Sequence, residues 1–213
     1  MRCFSKSYVI ERLMNKIPLL LIYSRLVIGV KIIVFSIIRI ENYSTIAVLL
    51  VTIGLLTDIF DGIIARQLNI STTKLRRLDS TIDQFFFISV IVSTYIQCPI
   101  FFEQNILKLV LIIGIELLSY LVSFIKFKKE IATHSIGAKI WTLFLFITLV
   151  QLIIEFQSHV LFTICFWLGL LTRLEIILIL LMLKKWTNDV PSLYHAIKLR
   201  QGKEIKRNKM FNG

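Results

Sequence analysis

Asp58 and Asp61 are followed after a short interval by Asp79 and Asp83, and the chain has only one other aspartate, Asp189. The first pair is three residues apart and the second four. On helices each pair therefore lies on one face. A short connection makes the two helices antiparallel and brings all four carboxylates to a similar depth. Oxygen ligands at this density suit Mg²⁺, Mn²⁺ or Ca²⁺, whereas zinc takes His or Cys, which are missing here. Two divalent cations would neutralise four carboxylates. The plainer alternative is a set of helix-end caps and ion pairs with Arg66, Arg76 and Arg77. A lone aspartate fits that alternative, but four paired across a hairpin favour metal. Gly62 and Ala65, three apart beside the aspartates, leave room for a flat group such as a base or ribose to approach the backbone.

The elements that carry these residues are apolar. Of the 213 residues 56% are hydrophobic and only 18% charged, with a mean hydropathy of +0.79. A soluble domain has about 45–50% and about 25%. Disordered chains, coiled coils and disulfide-stapled secreted domains are excluded. Cys3, Cys98 and Cys165 form no metal or redox spacing and read as apolar filler. Six runs approach the ~20 residues a membrane helix needs: 18–38, 46–64, 82–102, 106–125, 140–156 and 161–183. They are too long for strands and lack period-2 alternation. The expectation is an all-α integral membrane protein of six transmembrane helices. Val9, Ile10, Leu13 and Met14 at helical spacing, with Arg12 and Lys16, predict an N-terminal juxtamembrane amphipathic helix on anionic lipid. An ordinary basic flank is the alternative. Charge mixed through residues 1–16, with no small-residue cleavage site after the next apolar run, leads to the expectation that this N-terminal stretch is not a cleavable signal. Residues 1–185 form the membrane domain and 186–213 a basic tail.

Charge orients the spans. The net charge is +12, from 25 Lys and Arg against 13 Asp and Glu. Twenty of the basic residues fall before the first span, between the second and third, between the fourth and fifth, or after the sixth. Arg39 and Lys108 alone fall on the opposite side. This positive-inside pattern puts both termini in the cytoplasm. The tail has no fold with which to read bases, so nucleic acid is not an expected partner. On insertion scales an ionised carboxylate in a helix centre costs about 2.5–3.5 kcal/mol, so four of them near the cytoplasmic end of two spans need a compensating partner.

The segment Asp58-Ile-Phe-Asp61-Gly62-Ile-Ile-Ala65-Arg66, with Asp79 thirteen positions on and then Asp83, resembles the signature of the CDP-alcohol phosphotransferases (CDP-alcohol phosphatidyltransferases), D-x2-D-G-x2-A-R-x8-G-x3-D-x3-D. Every spacing agrees, and the second glycine alone differs, being Leu75. The six-span layout is similar too. Pro18 and Arg25 echo the P-N-x-L-T-x-x-R element near the first span, with Leu19 and Ile22 in place of its Asn and Thr. Ala138-Lys139-Ile-Trp-Thr142 echoes G-K-x-x-T.

The resemblance implies transfer of a substituted phosphate from a CDP-linked donor to a hydroxyl, with release of CMP. Asp58, Asp61, Asp79 and Asp83 would hold Mg²⁺ or Mn²⁺, two ions in all, and Asp83 would also be the general base. Thr57, Gly62, Ala65 and Arg66 would line the CDP site. Leu75 removes neither a ligand nor the base. The membrane lipid donor would be CDP-diacylglycerol, and a homodimer is implied. The compact size leads to the expectation of a bacterial-type plasma membrane.

The acceptor is read from charges within the spans. A cation there is costly unless paired or facing a wet cavity. Lys139 and Arg173 resemble in position the residues that hold an acceptor phosphate in members using phosphorylated alcohols, and Arg25 is grouped with them. A phosphorylated polyol such as glycerol 3-phosphate or inositol phosphate is favoured, with serine or an uncharged alcohol as the runner-up. Glu116 fits better as a structural partner of Arg173. Two readings outside this chemistry are a cation carrier and an inactive membrane scaffold. A carrier is disfavoured because no internal repeat is seen and the aspartates sit at one end of their spans.

Overall fold

The computed structural model describes residues 16–205, apart from 69, 71, 130, 132–134, 188 and 189. The expected N-terminal amphipathic helix and the basic residues from Lys206 onward lie outside the described residues. Among the described residues all regular structure is helical: α1 (Ile17–Ile37), α2 (Tyr43–Gln67), α3 (Thr73–Gln97), α4 (Pro99–Gln104), α5 (Ile106–Phe127), α6 (Ile136–Glu155), α7 (Val160–Met182) and α8 (Leu193–Arg200). Helices α1, α2, α5, α6 and α7 are long and apolar enough to cross a membrane. The protein is an all-α membrane protein. The remaining expected span, the third at 82–102, corresponds to α3, whose 25 residues carry Lys74, Arg76, Arg77, Asp79 and Asp83 at its start.

The boundaries of that span differ from the expectation. The helix begins nine residues earlier, where Thr72 caps it by accepting a hydrogen bond from the Leu75 amide (3.2 Å). It ends at Gln97 rather than running through 102. Pro99 has no amide proton, and its ring drives the preceding residue out of the helical region. Cys98 accordingly adopts φ −135°, ψ 64°, and a new short helix starts at Pro99.

The chain divides into two compact units, Met1–Pro99 and Ile100–Gly213. In the first, α1 packs against both α2 and α3, while α2 and α3 touch each other little. The sequence led to expect α2 and α3 as direct neighbours because their connection is short. Instead α1 lies between much of their length. Small and hydroxyl residues allow this approach, as expected where lipid supplies no hydrophobic drive between helices. Gly29 of α1 lies against Ser89 of α3. Ser36 Oγ donates to the Ser93 carbonyl (2.9 Å), and Gln97 Nε2 donates to the Ser36 carbonyl (3.0 Å).

Where α2 and α3 do meet, Gly54 faces the buried ring of Phe86. A Cβ on Gly54 would lie 2.3 Å from that ring. Gly54→Ala is therefore expected to destabilise the protein by about 1–3 kcal/mol, as overpacking does. A fall in the unfolding temperature of the detergent-solubilised protein checks this, and an unchanged temperature would refute the packing.

In the second unit α7 packs against α5, α6 and α8. Gly169 lies under Trp141, whose Nε1 donates to the Cys165 carbonyl (3.1 Å), so α6 and α7 meet closely. Lys126 Nζ donates to the carbonyls of Leu180 (2.9 Å) and Leu181 (2.7 Å), capping the negative end of α7. Part of the basic tail folds as well. Val190 and Ala196 are buried with Ile179 and Leu183, which fastens α8 to the end of α7.

Candidate active site

Each aspartate is placed by its helix. Asp58 and Asp61 project from one face of α2, and Asp79 and Asp83 from one face of α3. The helix between them supplies a cation. Arg25 of α1 is fully buried, and its guanidinium meets all four carboxylates. Its Nη1 donates to Asp58 Oδ1 (2.7 Å) and to Asp83 Oδ1, and its Nη2 to Asp61 Oδ2 and Asp79 Oδ1. A planar fork of donors fits this task in a way that an ammonium cannot.

The carboxylates differ in access. The Asp61 side chain is 3% exposed, whereas those of Asp58, Asp79 and Asp83 are 39%, 30% and 28% exposed. One is thus set into the packed interior and three open towards an incoming group. Oxygens of Asp58, Asp61 and Asp79 lie within 4.8 Å of one another, close enough to converge on one ion. Hard carboxylate oxygens and no nitrogen or sulfur ligand suit Mg²⁺ or Mn²⁺. The residues present fit the metal site.

Around the carboxylates, Thr57 Oγ1 donates to the Gly54 carbonyl (2.7 Å) and Ala65 is buried. The exposed Arg66 guanidinium flanks Gly62, 3.7 Å from where a Cβ would stand. A backbone stretch without a side chain beside a planar cation can receive a flat, anionic ligand. Leu75 lies in the first turn of α3, and it is not among the described non-glycine residues with positive φ. The backbone there does not demand the glycine of the signature.

The remaining sequence candidates belong to the second unit. Arg173 forms an ion pair with Glu116, and its guanidinium lies over the Trp141 ring, 4.7 Å from the centroid. Lys139 stands in the first turn of α6, one residue after Ala138, whose amide Ser135 caps. What sequence reasoning missed is the convergence of Arg25 on the aspartates, since Arg25 was grouped with the acceptor-binding cations. The available signal was charge balance: an arginine in the middle of a span without acidic residues needs a partner from another helix.

The family model for CDP-alcohol phosphatidyltransferase matches residues 15–185. The chain belongs to this family. No match is found among curated proteins or among solved structures. The matched stretch contains all four aspartates and Arg25, and it runs through all five of the apolar helices. This CDP-alcohol phosphatidyltransferase is an integral membrane transferase of substituted phosphate groups, acting in phospholipid synthesis on a CDP-alcohol donor and an alcohol acceptor. The family depends on metal in general, and the aspartate cluster of this transferase can hold one.

Proposed function

We propose that the transferase moves the phosphatidyl group of CDP-diacylglycerol to a hydroxyl of a phosphorylated polyol, such as glycerol 3-phosphate or inositol phosphate, and releases CMP. The observation that carries the chemistry is the convergence of Asp58, Asp61, Asp79 and Asp83 at one depth on α2 and α3. The cluster would hold two divalent ions, which would supply positive charge to offset the negative charge gathering on the departing CMP. Asp58, Asp61 and Asp79 hold these ions, with Asp83 beside them. Asp83 accepts the proton of the acceptor hydroxyl as its oxygen attacks the lipid-linked phosphorus. The partial exposure of Asp83 leaves its carboxylate within reach of that hydroxyl. Thr57, Gly62, Ala65 and Arg66 line the cytidine diphosphate, with Arg66 pairing to phosphate as a planar donor.

The positive-inside distribution supports this chemistry at the cytoplasmic face, with both termini in the cytoplasm. The donor tails then stay in lipid while the nucleotide meets water. The net charge of +12 would draw anionic substrates to that face. Lys139 and Arg173 hold the acceptor phosphate in this reading. A second reading, serine or an uncharged alcohol, is favoured by the Arg173–Glu116 pair, which satisfies the arginine without a phosphate.

An acceptor screen with CDP-diacylglycerol and Mg²⁺, following lipid products by mass, separates the two. A phosphorylated product supports the first reading, and a product formed only from serine or an uncharged alcohol overturns it. With the phosphorylated acceptor, Arg173→Gln is expected to raise KM about tenfold or more, the worth of one charge-assisted hydrogen bond. KM for the donor should stay unchanged. An unaltered acceptor KM would remove Arg173 from the acceptor site.

A further inference from the structure

Arg25 and a divalent cation address the same carboxylates. Its two terminal nitrogens contact one oxygen of each aspartate: Asp58 Oδ1 and Asp83 Oδ1 from Nη1, Asp61 Oδ2 and Asp79 Oδ1 from Nη2. Metal ligation by Asp58, Asp61 and Asp79 draws on one oxygen from each of three of these carboxylates, within 4.8 Å of one another. A divalent ion of the Mg²⁺ type stands about 2.1 Å from each ligand oxygen. A guanidinium nitrogen hydrogen-bonded to those oxygens stands about 2.8 Å from them. Two such positive centres sharing carboxylates inside a protein of low effective dielectric repel strongly.

The other edge of Arg25 is free of ties. Its Nε is buried and has no hydrogen-bond acceptor among the described residues. Among the described residues the guanidinium's hydrogen-bond partners are thus the carboxylates themselves. Its own helix offers no acid, since Ile17–Ile37 contains neither Asp nor Glu. Whatever draws the carboxylates away leaves nothing to keep the guanidinium in place.

We propose that Arg25 is a displaceable internal counter-ion: its guanidinium holds the four aspartates together when they carry no metal, and metal loading drives it off them. The proposal rests on the reading of the aspartates as metal ligands. It differs from the alternative in which Arg25 is a permanent strut that shapes the metal site. A displaceable counter-ion competes with metal, so its removal tightens metal binding and weakens the metal-free fold. A strut assists metal, so its removal loosens binding.

The test uses the full chain in phosphatidylcholine nanodiscs, stripped with chelator and then titrated with Mn²⁺ while the free ion is followed by electron paramagnetic resonance. Arg25→Gln is expected to bind Mn²⁺ at least tenfold more tightly than the parent. Arg25→Lys, whose ammonium satisfies fewer carboxylates than a fork does, is expected to fall between them. Unfolding temperatures give the second readout. Arg25→Gln should melt several degrees below the parent in chelator and alongside it in saturating Mn²⁺. Equal or weaker Mn²⁺ binding by Arg25→Gln overturns the proposal. So does failure of that variant to fold even in saturating Mn²⁺, because the loaded protein has no need of the guanidinium on its aspartates. If the parent chain itself binds no Mn²⁺, the metal reading fails and the proposal falls with it. If the parent binds and the variant does not tighten, only the proposal falls.

Discussion

Asp83→Asn is expected to lower the rate of CMP release about 10²–10⁴-fold at saturating donor, acceptor and Mg²⁺, the range that a positioned general base contributes. The substitution keeps the shape of the side chain and removes its ability to take a proton. Because Asp83 also stands beside the proposed metal ligands and contacts Arg25, rate alone would not separate a lost base from a lost ion. Mn²⁺ affinity supplies the separation. A base lost without its ions gives a large fall in rate with Mn²⁺ binding changed only a few-fold. An unchanged rate means that the proton goes elsewhere and the assignment of Asp83 is wrong.

Asp61→Asn has the second large effect. Asp61 is the most deeply buried of the four, its side chain 3% exposed, and little water can replace a ligand lost there. Removing a residue that merely orients a metal ligand already costs about 10–100-fold in affinity. Removing Asp61 itself is expected to cost at least about 100-fold and to take CMP release to background. The asparagine retains the packing volume, so the variant should keep the parent helical content in detergent. Undiminished Mn²⁺ affinity in a folded Asp61→Asn protein would show that the buried carboxylate serves packing and not the metal. Asp58→Asn, whose site is 39% exposed, should lose less, because solvent can enter in place of the missing oxygen.

Much of the architecture was legible because lipid imposes a coarse and strict pattern. Runs of about 20 apolar residues announce α1, α2, α5, α6 and α7 directly. The end of α3 was misread as 102 because the residues after Pro99 remain apolar. Hydropathy is blind to a missing backbone donor, and Pro99 decides the break. The beginning of α3 was misread for the converse reason: its first turns are charged, yet capping by Thr72 extends the helix through them. Helix α8 was missed altogether. Its burial rests on Val190 and Ala196 against Ile179 and Leu183, too few apolar residues to stand out within a strongly basic stretch.

The candidate site was legible in its carboxylates and not in its cation. Spacing along one helix fixes which residues share a face, so Asp58 with Asp61 and Asp79 with Asp83 could be paired from sequence alone. Which helix faces which is a packing result. The short α2–α3 connection favours direct contact of those helices, and nothing local announces that α1 lies between them. The glycine and hydroxyl residues of α1, Gly29 and Ser36, make that approach possible by fitting against Ser89 and Ser93. Once α1 is there, Arg25 is carried to the aspartates. Lys139 and Arg173, proposed to hold the acceptor, belong to the second unit, and that proposal rests on position and charge.

The central claim is that the aspartates of α2 and α3 ligate divalent cations. Crystals of the protein grown with Mn²⁺ and CDP-diacylglycerol, measured for anomalous scattering, test it most directly. The account predicts anomalous peaks about 2.1 Å from carboxylate oxygens of Asp58, Asp61 and Asp79. Anomalous density elsewhere in the protein, with these three carboxylates ligating no manganese, would contradict it.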